Sequence, residues 1–89
     1  MKMNELSRGQ LVRSKAGRDK GTLSVITEII DQDHVYIADG ALRKIEAPKK
    51  KKIKHLQMHK DVSDAIKEKL DNGEKIEDAF IRRQLAEHQ

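Results

Sequence analysis

Three cations surround two glycines in the short segment 15–21. The cations are Lys15, Arg18 and Lys20, and the glycines are Gly17 and Gly21. Lysine and arginine side chains bind the phosphates of nucleic acids, and arginine can also stack on a base or contact its edge. Glycine adopts positive φ at no steric cost, so this segment can reverse the chain quickly. The pattern predicts a basic loop that contacts a phosphate backbone, with acidic Asp19 as the exception.

A second basic cluster lies around Pro48. Its members are Lys49, Lys50, Lys51, Lys52, Lys54 and His55, and Arg43 and Lys44 precede them. Lysine runs are often solvated strips or tails, but this run lies between two segments that contain apolar residues. We therefore predict that it also contacts nucleic-acid phosphates and that Arg43 and Lys44 extend the same patch.

The scarcity of aromatic residues indicates how a nucleic acid would be bound. Tyr36 and Phe80 are the only two aromatic side chains. Domains that read single strands usually offer several aromatic rings for base stacking. We expect Phe80 to lie in the core and Tyr36 to point outward and stack on at most one base. Binding should therefore depend on the backbone and shape of a structured RNA.

Metal binding and catalysis are not expected. His55 and His59 are four residues apart, but the chain has no cysteine and no evident third ligand. We find no nucleophile motif, phosphate-loop lysine motif or paired-carboxylate pattern. The sequence predicts a protein without a metal, a cofactor or an enzymatic activity.

Apolar residues predict the strands that must position the basic residues. Three segments are rich in β-branched and aliphatic residues, which favour strands: Leu11 with Val12, residues 22–30 and residues 35–38. Asp39-Gly40 is a strong hairpin signal, which predicts a fourth strand over 42–47. Ile53 and Leu56 would hold a short closing strand. Five strands of this length are typical of a small β-barrel.

The pattern changes to a helical one at Lys60. Val62, Ala65, Ile66 and Leu70 follow helical spacing, with Asp61 or Ser63 as the cap and Asn72-Gly73 as the stop. A second helix should begin near Glu77, with Ile76 and Ile81 forming a hydrophobic staple. On that helix, Arg82 and Arg83 are expected to pair with Asp78 and Glu87.

Composition and charge limit the number of domains and indicate which half of the chain faces nucleic acid. The chain has 89 residues, of which 36% are hydrophobic and 38% are charged, so one thin-cored domain with a small appendage is expected. Residues 1–56 carry 13 Lys and Arg against 7 Asp and Glu, whereas residues 57–89 carry 6 against 8. The first part should therefore face nucleic acid. No apolar run could cross a membrane, and the absence of cysteine favours the cytoplasm.

Segment 9–26 resembles a KOW motif, a loop with a central glycine between two strands. The likeness extends over about residues 8–56 through Ser14–Gly21, Ile37–Gly40, Arg43-Lys44, Pro48–Lys51 and Lys54–Leu56. These residues are similar to small bacterial KOW-domain RNA-binding proteins, which are similar to certain large-subunit ribosomal proteins of archaea and eukaryotes. The resemblance implies an SH3-like barrel and binding to RNA, with ribosomal RNA as the expected target.

These observations predict a mainly β fold with C-terminal α: a five-stranded SH3-like (KOW) barrel over 1–58 and a helical hairpin over 59–89. The predicted function is non-catalytic binding of structured ribosomal RNA by a ribosome-associated cytoplasmic protein, monomeric off the ribosome. The alternative is a protein-interaction module that docks on a ribosomal or transcription protein through the hairpin or an open barrel edge. DNA binding also stays open, because phosphate contacts do not distinguish the two nucleic acids.

Overall fold

The computed structural model describes residues 6–88, which form a five-stranded antiparallel sheet followed by two helices. The strands are β1 Gln10–Ser14, β2 Leu23–Ile29, β3 His34–Ala38, β4 Lys49–Lys52 and β5 Leu56–Val62. Helix α1 is Asp64–Asp71 and helix α2 is Asp78–Ala86. The strand order is β4-β3-β2-β1-β5, so β4 and β5 are the edges of an open sheet. A mainly β fold with C-terminal helices is therefore confirmed.

Apolar residues are buried on both faces of the sheet. The helix-side cluster consists of Leu11, Leu23, Val25, Ile66, Ile76, Ile81 and Leu85. The opposite cluster consists of Val12, Ile26, Val35, Ile37 and Leu56. Because successive side chains of a strand point to opposite faces, β1 and β2 contribute to both clusters. Burial on two faces explains why every residue of the segment 23–26 is buried, including the polar Ser24, and it gives the sheet and the helices a shared core.

The helix boundaries follow the local signals in the sequence. The hydroxyl of Ser63 accepts a hydrogen bond from the backbone N–H of Ile66 at 3.3 Å and caps α1. Helix α1 ends at Asp71, Asn72 is its C-cap, and Gly73 follows with a φ of 70°. Ile76 and Ile81 are both buried in the helix-side cluster, as a hydrophobic staple requires. The predicted cap, stop and staple are confirmed.

The predicted fourth strand over 42–47 is wrong, because this segment is a turn. The carboxylate of Asp39 accepts hydrogen bonds from the backbone N–H groups of Ala41 and Arg43 at 3.1 and 2.7 Å. The N–H groups of Asp39 and Gly40 in turn donate to the carbonyl of Arg43. These bonds close the segment on itself and leave the lysine run Lys49–Lys52 to pair with β3 as the fourth strand.

The closing strand also differs from the expectation. Ile53–His55 form a single 3₁₀ turn, and the strand begins only at Leu56. It then continues to Val62, so residues 60–62 belong to the sheet and not to the first helix. Pairing with β1, from Ser14 opposite Leu56 to Gln10 opposite Val62, is the long-range contact that extends this strand.

Candidate nucleic-acid interface

The loop between β1 and β2 presents its three cations to solvent. Backbone hydrogen bonds close it: the N–H of Gly21 donates to the carbonyl of Ser14 at 2.8 Å, and the N–H of Lys20 donates to that of Gly17 at 3.2 Å. Gly17 and Gly21 have φ values of 81° and 88°, in the left-handed region that favours glycine. Lys15, Arg18 and Lys20 are all exposed. The loop is therefore a tight turn with its basic side chains outward.

The acidic residue of the loop points inward. The side chain of Asp19 is only 2% exposed and accepts two hydrogen bonds from Arg43, at 3.1 Å from Nε and 3.0 Å from Nη2. The Arg43 guanidinium holds the pKa of the Asp19 carboxyl below its ordinary value, although burial acts in the other direction. Asp19 thus anchors the loop to the 39–48 connection, and its charge does not face the outer surface.

This pair gives Arg43 a structural contact that the sequence reasoning did not foresee. Hydrogen bonding to Asp19 raises the pKa of the guanidinium above its ordinary value, so Arg43 stays charged. The predicted phosphate contact of Arg43 stays a prediction, with two of its donors already bound to Asp19. Lys44 is exposed on the connection immediately after it.

Strand β4 lies against the loop. The Nζ atom of Lys51 donates a hydrogen bond to the carbonyl of Ala16 at 3.3 Å. Lys49 lies two residues before Lys51 in the strand, so its side chain shares the face of β4 on which Lys51 meets the loop. The basic loop therefore adjoins the face of β4 that carries Lys49 and Lys51.

The alternate lysines of β4 lie on the other face. Lys50 is directly opposite Tyr36, and Lys52 is directly opposite His34. Residues that are directly opposite in an antiparallel pair share a face of the sheet. Lys50 and Lys52 are exposed, whereas Tyr36 is half-buried. The face that carries Tyr36, the predicted stacking residue, is therefore also basic.

The 3₁₀ turn completes the surface. The backbone N–H of Lys15 donates to the carbonyl of His55 at 2.9 Å, which joins the start of the loop to this turn. Lys54 and His55 are both exposed. We call the resulting set the basic surface; its members are Lys15, Arg18, Lys20, Lys49, Lys50, Lys51, Lys52, Lys54 and His55.

No protein-family model and no curated protein sequence matches the chain. The KOW relationship consequently stays a prediction from the residues.

Two kinds of feature are absent from the described part of the chain. Residues 6–88 contain no group of three or more His, Asp or Glu side chains placed to hold a metal ion. The same residues include no helix with the length and apolar character needed to cross a membrane.

The arginines of α2 are not placed as expected. The Nη1 atom of Arg82 donates to the carbonyl of Gly40, and the guanidinium of Arg83 lies 5.7 Å from the ring centre of Phe80. Within residues 6–88, neither makes the predicted ion pair with Asp78 or Glu87. The carboxylate of Asp78 instead accepts from the backbone N–H of Ile45 at 2.8 Å. Arg82 and Asp78 thus both bind the backbone of the 39–48 connection and not the partners on α2 that helical spacing predicted.

Arg13 was missed by the sequence reasoning. Its Nη1 atom donates to the carbonyl of Gly21 at 2.7 Å and supports the end of the basic loop. It lines a cleft of ≈ 350 Å³ together with Arg82, Thr22 and Asp39. Period-two spacing from Leu11 could have placed it on the helix side of β1, but the loop contact depends on how β1 and β2 pair.

Proposed function

We propose that this chain is a non-catalytic RNA-binding protein that grips the backbone of a structured RNA through the basic surface. The resemblance to KOW proteins supports ribosomal RNA as the target and association with the ribosome in the cytoplasm. The proposal assigns phosphate contacts to the exposed lysines and arginine of the loop and β4.

The contact between Lys51 and Ala16 carries the proposal. It joins two basic segments that are far apart in the sequence, with a donor–acceptor distance of 3.3 Å. Separate basic loops would each meet one or two phosphates, whereas a continuous surface can follow several phosphates of a folded backbone.

The position of Asp19 also supports the proposal. An exposed carboxylate within the loop would repel phosphate. Burial and the two hydrogen bonds from Arg43 remove it from the outer surface while they hold the loop in shape. The binding surface is therefore basic without interruption at its centre and is preorganised before RNA arrives.

We further propose that the sheet curls into an SH3-like barrel. The order β4-β3-β2-β1-β5 and the 3₁₀ turn directly before the last strand are compatible with that fold. The opposite cluster also supports closure, because it brings Leu56 of β5 together with Val35 and Ile37 of β3. In such a barrel this cluster is the interior, and β4 with the basic loop lies at one margin.

Protein docking through the helices is less well supported. The apolar residues Ile66, Ile81 and Leu85 of the helical hairpin are buried against the sheet. The hairpin therefore uses its apolar stripe for folding. The β4 edge is lined with lysines, which in soluble proteins discourage pairing with another strand.

The test is RNA binding by the triple variant Lys15→Ala, Arg18→Ala, Lys20→Ala. The probe is a structured fragment of ribosomal RNA, with the dissociation constant measured at several salt concentrations. Each lost phosphate contact should lower the slope of log K against log salt by about one. We expect weaker binding and a slope that is smaller by about two to three, with an unchanged thermal unfolding curve.

The matched control removes exposed lysines outside the basic surface, with Lys60→Ala and Lys75→Ala. This variant should bind RNA as the parent protein does. Equal affinity of the triple variant and the parent at moderate salt would overturn the proposal. A DNA duplex of the same sequence separates RNA recognition from general phosphate binding. Partners that survive nuclease treatment in a pull-down would favour protein docking instead.

A further inference from the structure

A cleft of ≈ 530 Å³ lies beside the 3₁₀ turn, at one end of the basic surface. We call it the Ile53 cleft; it is lined by Leu6, Gln32, Asp33, His34, Lys52, Ile53, Lys54 and Met58. Its volume falls within the range of about 300–1,000 Å³ that is typical of small-ligand sites. Two of its lining residues, Lys52 and Lys54, belong to the basic surface.

The walls of the cleft are held by hydrogen bonds. The carboxylate of Asp31 accepts from the backbone N–H groups of Asp33 and His34, both at 2.8 Å, and fixes the turn between β2 and β3. The backbone N–H of Ile53 donates to the carbonyl of Asp33 at 2.7 Å and joins that turn to the 3₁₀ turn. The two sides of the cleft are therefore tied together, which reduces the ordering cost of binding.

The side chains divide by chemistry within the cleft. Leu6, Ile53 and Met58 are aliphatic, half-buried and packed against the opposite cluster. Lys52 and Lys54 flank Ile53 in the chain and are exposed, so their ammonium groups can reach anions outside. Gln32 and His34 add hydrogen-bonding groups, and the exposed Asp33 adds one carboxylate to a lining that also holds two lysines. An apolar surface whose lining also holds two lysines is complementary to a flat base joined to phosphates.

We propose that the Ile53 cleft binds one unpaired nucleotide of the RNA, with its base on the aliphatic side chains and its flanking phosphates on Lys52 and Lys54. The inference rests on the proposed function and deepens it, because it adds a base contact to a surface that otherwise grips the backbone. In this proposal Leu6, Ile53 and Met58 contact the base, as aromatic rings do in domains that bind single-stranded RNA.

The charge of the neighbourhood favours a nucleotide over an uncharged apolar partner. Lys52 is opposite His34 in the sheet, and Lys50 is two residues before it on the same face. Cations therefore line both faces of β4 up to the cleft, with Lys49 and Lys51 on the loop face and Lys50 and Lys52 on the other. A backbone that follows β4 would deliver a bulged base to the cleft.

The first experiment varies the RNA and leaves the protein unchanged. Three hairpins with the same stem are compared: one fully paired, one with a single bulged adenosine, and one with an abasic residue at the bulge. Stacking a base on an aromatic ring strengthens binding by at least about fivefold, and an aliphatic surface should reach about that lower value. We expect the adenosine bulge to bind about fivefold more tightly than the abasic bulge.

The second experiment varies the cleft. Ile53→Ser should abolish the difference between the adenosine and abasic bulges and leave the affinity for the paired stem unchanged. Leu42→Ser is the matched control, because Leu42 is an exposed aliphatic residue on the 39–48 connection. It should preserve the difference. Thermal unfolding of both variants verifies that they fold.

A direct measurement keeps the inference testable if Ile53→Ser does not fold or no hairpin binds. Adenosine 5′-monophosphate is titrated into the parent protein while the methyl NMR signals of Leu6, Ile53 and Met58 are followed. We expect saturable shifts confined to these methyl groups. Unchanged methyl signals with equal affinity for the adenosine and abasic bulges would overturn the cleft assignment. Methyl shifts that depend on protein concentration without nucleotide would also overturn it, in favour of a second copy.

The outcomes separate the two proposals. If the paired stem binds with a steep salt dependence but the bulged base adds nothing, the cleft inference fails and the proposed function stands. If no RNA binds but the nucleotide shifts the cleft methyl groups, the proposed function fails and the cleft is a nucleotide site. If neither occurs, both are wrong.

Discussion

Lysines and arginines are numerous both on the basic surface and on the helical side, by which we mean α1, α2 and the residues packed against them. Of these two regions, only the helical side has lysines and arginines that form ion pairs with carboxylates. Lys67 lies 2.7 Å and Arg8 2.8 Å from the Asp71 carboxylate, and Lys69 lies 3.4 Å from Glu74. Within the described residues 6–88, no member of the basic surface makes an ion pair. The nearest carboxylate in the loop, that of Asp19, is buried and bound to Arg43.

This difference shows that two surfaces with many cations can differ in how many of those cations are paired with carboxylates. Exposed ion pairs contribute little to stability, but each one cancels the local field of a cation. The field of the basic surface is not cancelled in this way and is available to phosphate. Four predictions test the difference between the basic surface and the helical side. They are ordered by decreasing effect and begin with Gly40.

Gly40→Ala should have the largest effect, because Gly40 joins the 39–48 connection to α2. Its φ is 80°, and a Cβ atom would lie 2.5 Å from the backbone carbonyl oxygen of Asp78. Left-handed strain together with this clash should cost roughly 3 kcal/mol of the free energy of unfolding. Urea denaturation should show one cooperative transition at a lower midpoint.

Gly73→Ala is the matched control for this prediction. Gly73 has a φ of 70°, but a Cβ atom would meet nothing within 4 Å. It should therefore cost only the strain of about 1–2 kcal/mol. Two separate transitions in the Gly40 variant would show that the sheet and the helices unfold independently.

Charge reversal should have the next largest effect, on RNA affinity. The double variant Lys49→Glu, Lys51→Glu places carboxylates beside the loop and should weaken binding to a structured RNA at least about 100-fold. Lys67→Glu with Lys69→Glu changes the same charge on the helical side and should weaken binding less than about threefold. Similar losses in the two variants, measured by fluorescence anisotropy, would remove the distinction between the regions.

Asp19→Asn should lower the melting temperature by several degrees at pH 7, because it breaks the pair with Arg43. The folded-state pKa of Asp19 is below its ordinary value, so its ionised form stabilises the fold above the unfolded-state pKa of about 3.9. That contribution is lost as the pH falls through the folded-state pKa. The melting temperatures of parent and variant should therefore converge below about pH 4. A constant difference down to pH 2 would contradict this account.

Lys67→Ala should have the smallest effect. It removes an exposed partner of Asp71 and should change the melting temperature by no more than a degree or two. Because the pKa of Asp71 is lowered chiefly by its hydrogen bond from Lys67, NMR titration should show the carboxyl moving back toward its ordinary pKa. An unchanged Asp71 titration would mean that Arg8 alone holds this carboxylate.

Local signals in the sequence predicted several elements correctly. The loop between the first two strands, the Ser63 cap and the stop at Gly73 each depend on a few neighbouring residues. The exposed cations of the loop were predictable for the same reason, because a short glycine-containing turn leaves long charged side chains in solvent. The strand over 42–47 was predicted wrongly, because the side chain of Asp39 caps a turn that the hairpin signal did not reveal.

The sequence by itself determined the tight loop between β1 and β2, the cap and stop of α1, and which half is basic. Those features depend on the backbone preferences and the charges of individual residues, which are the same whatever the tertiary structure. Only the tertiary structure decided that Lys49–Lys52 form an edge strand, that Asp19 is buried against Arg43, and that Lys51 meets the basic loop. Each of these depends on a partner distant in the sequence, and four consecutive lysines show no apolar alternation from which pairing could be predicted.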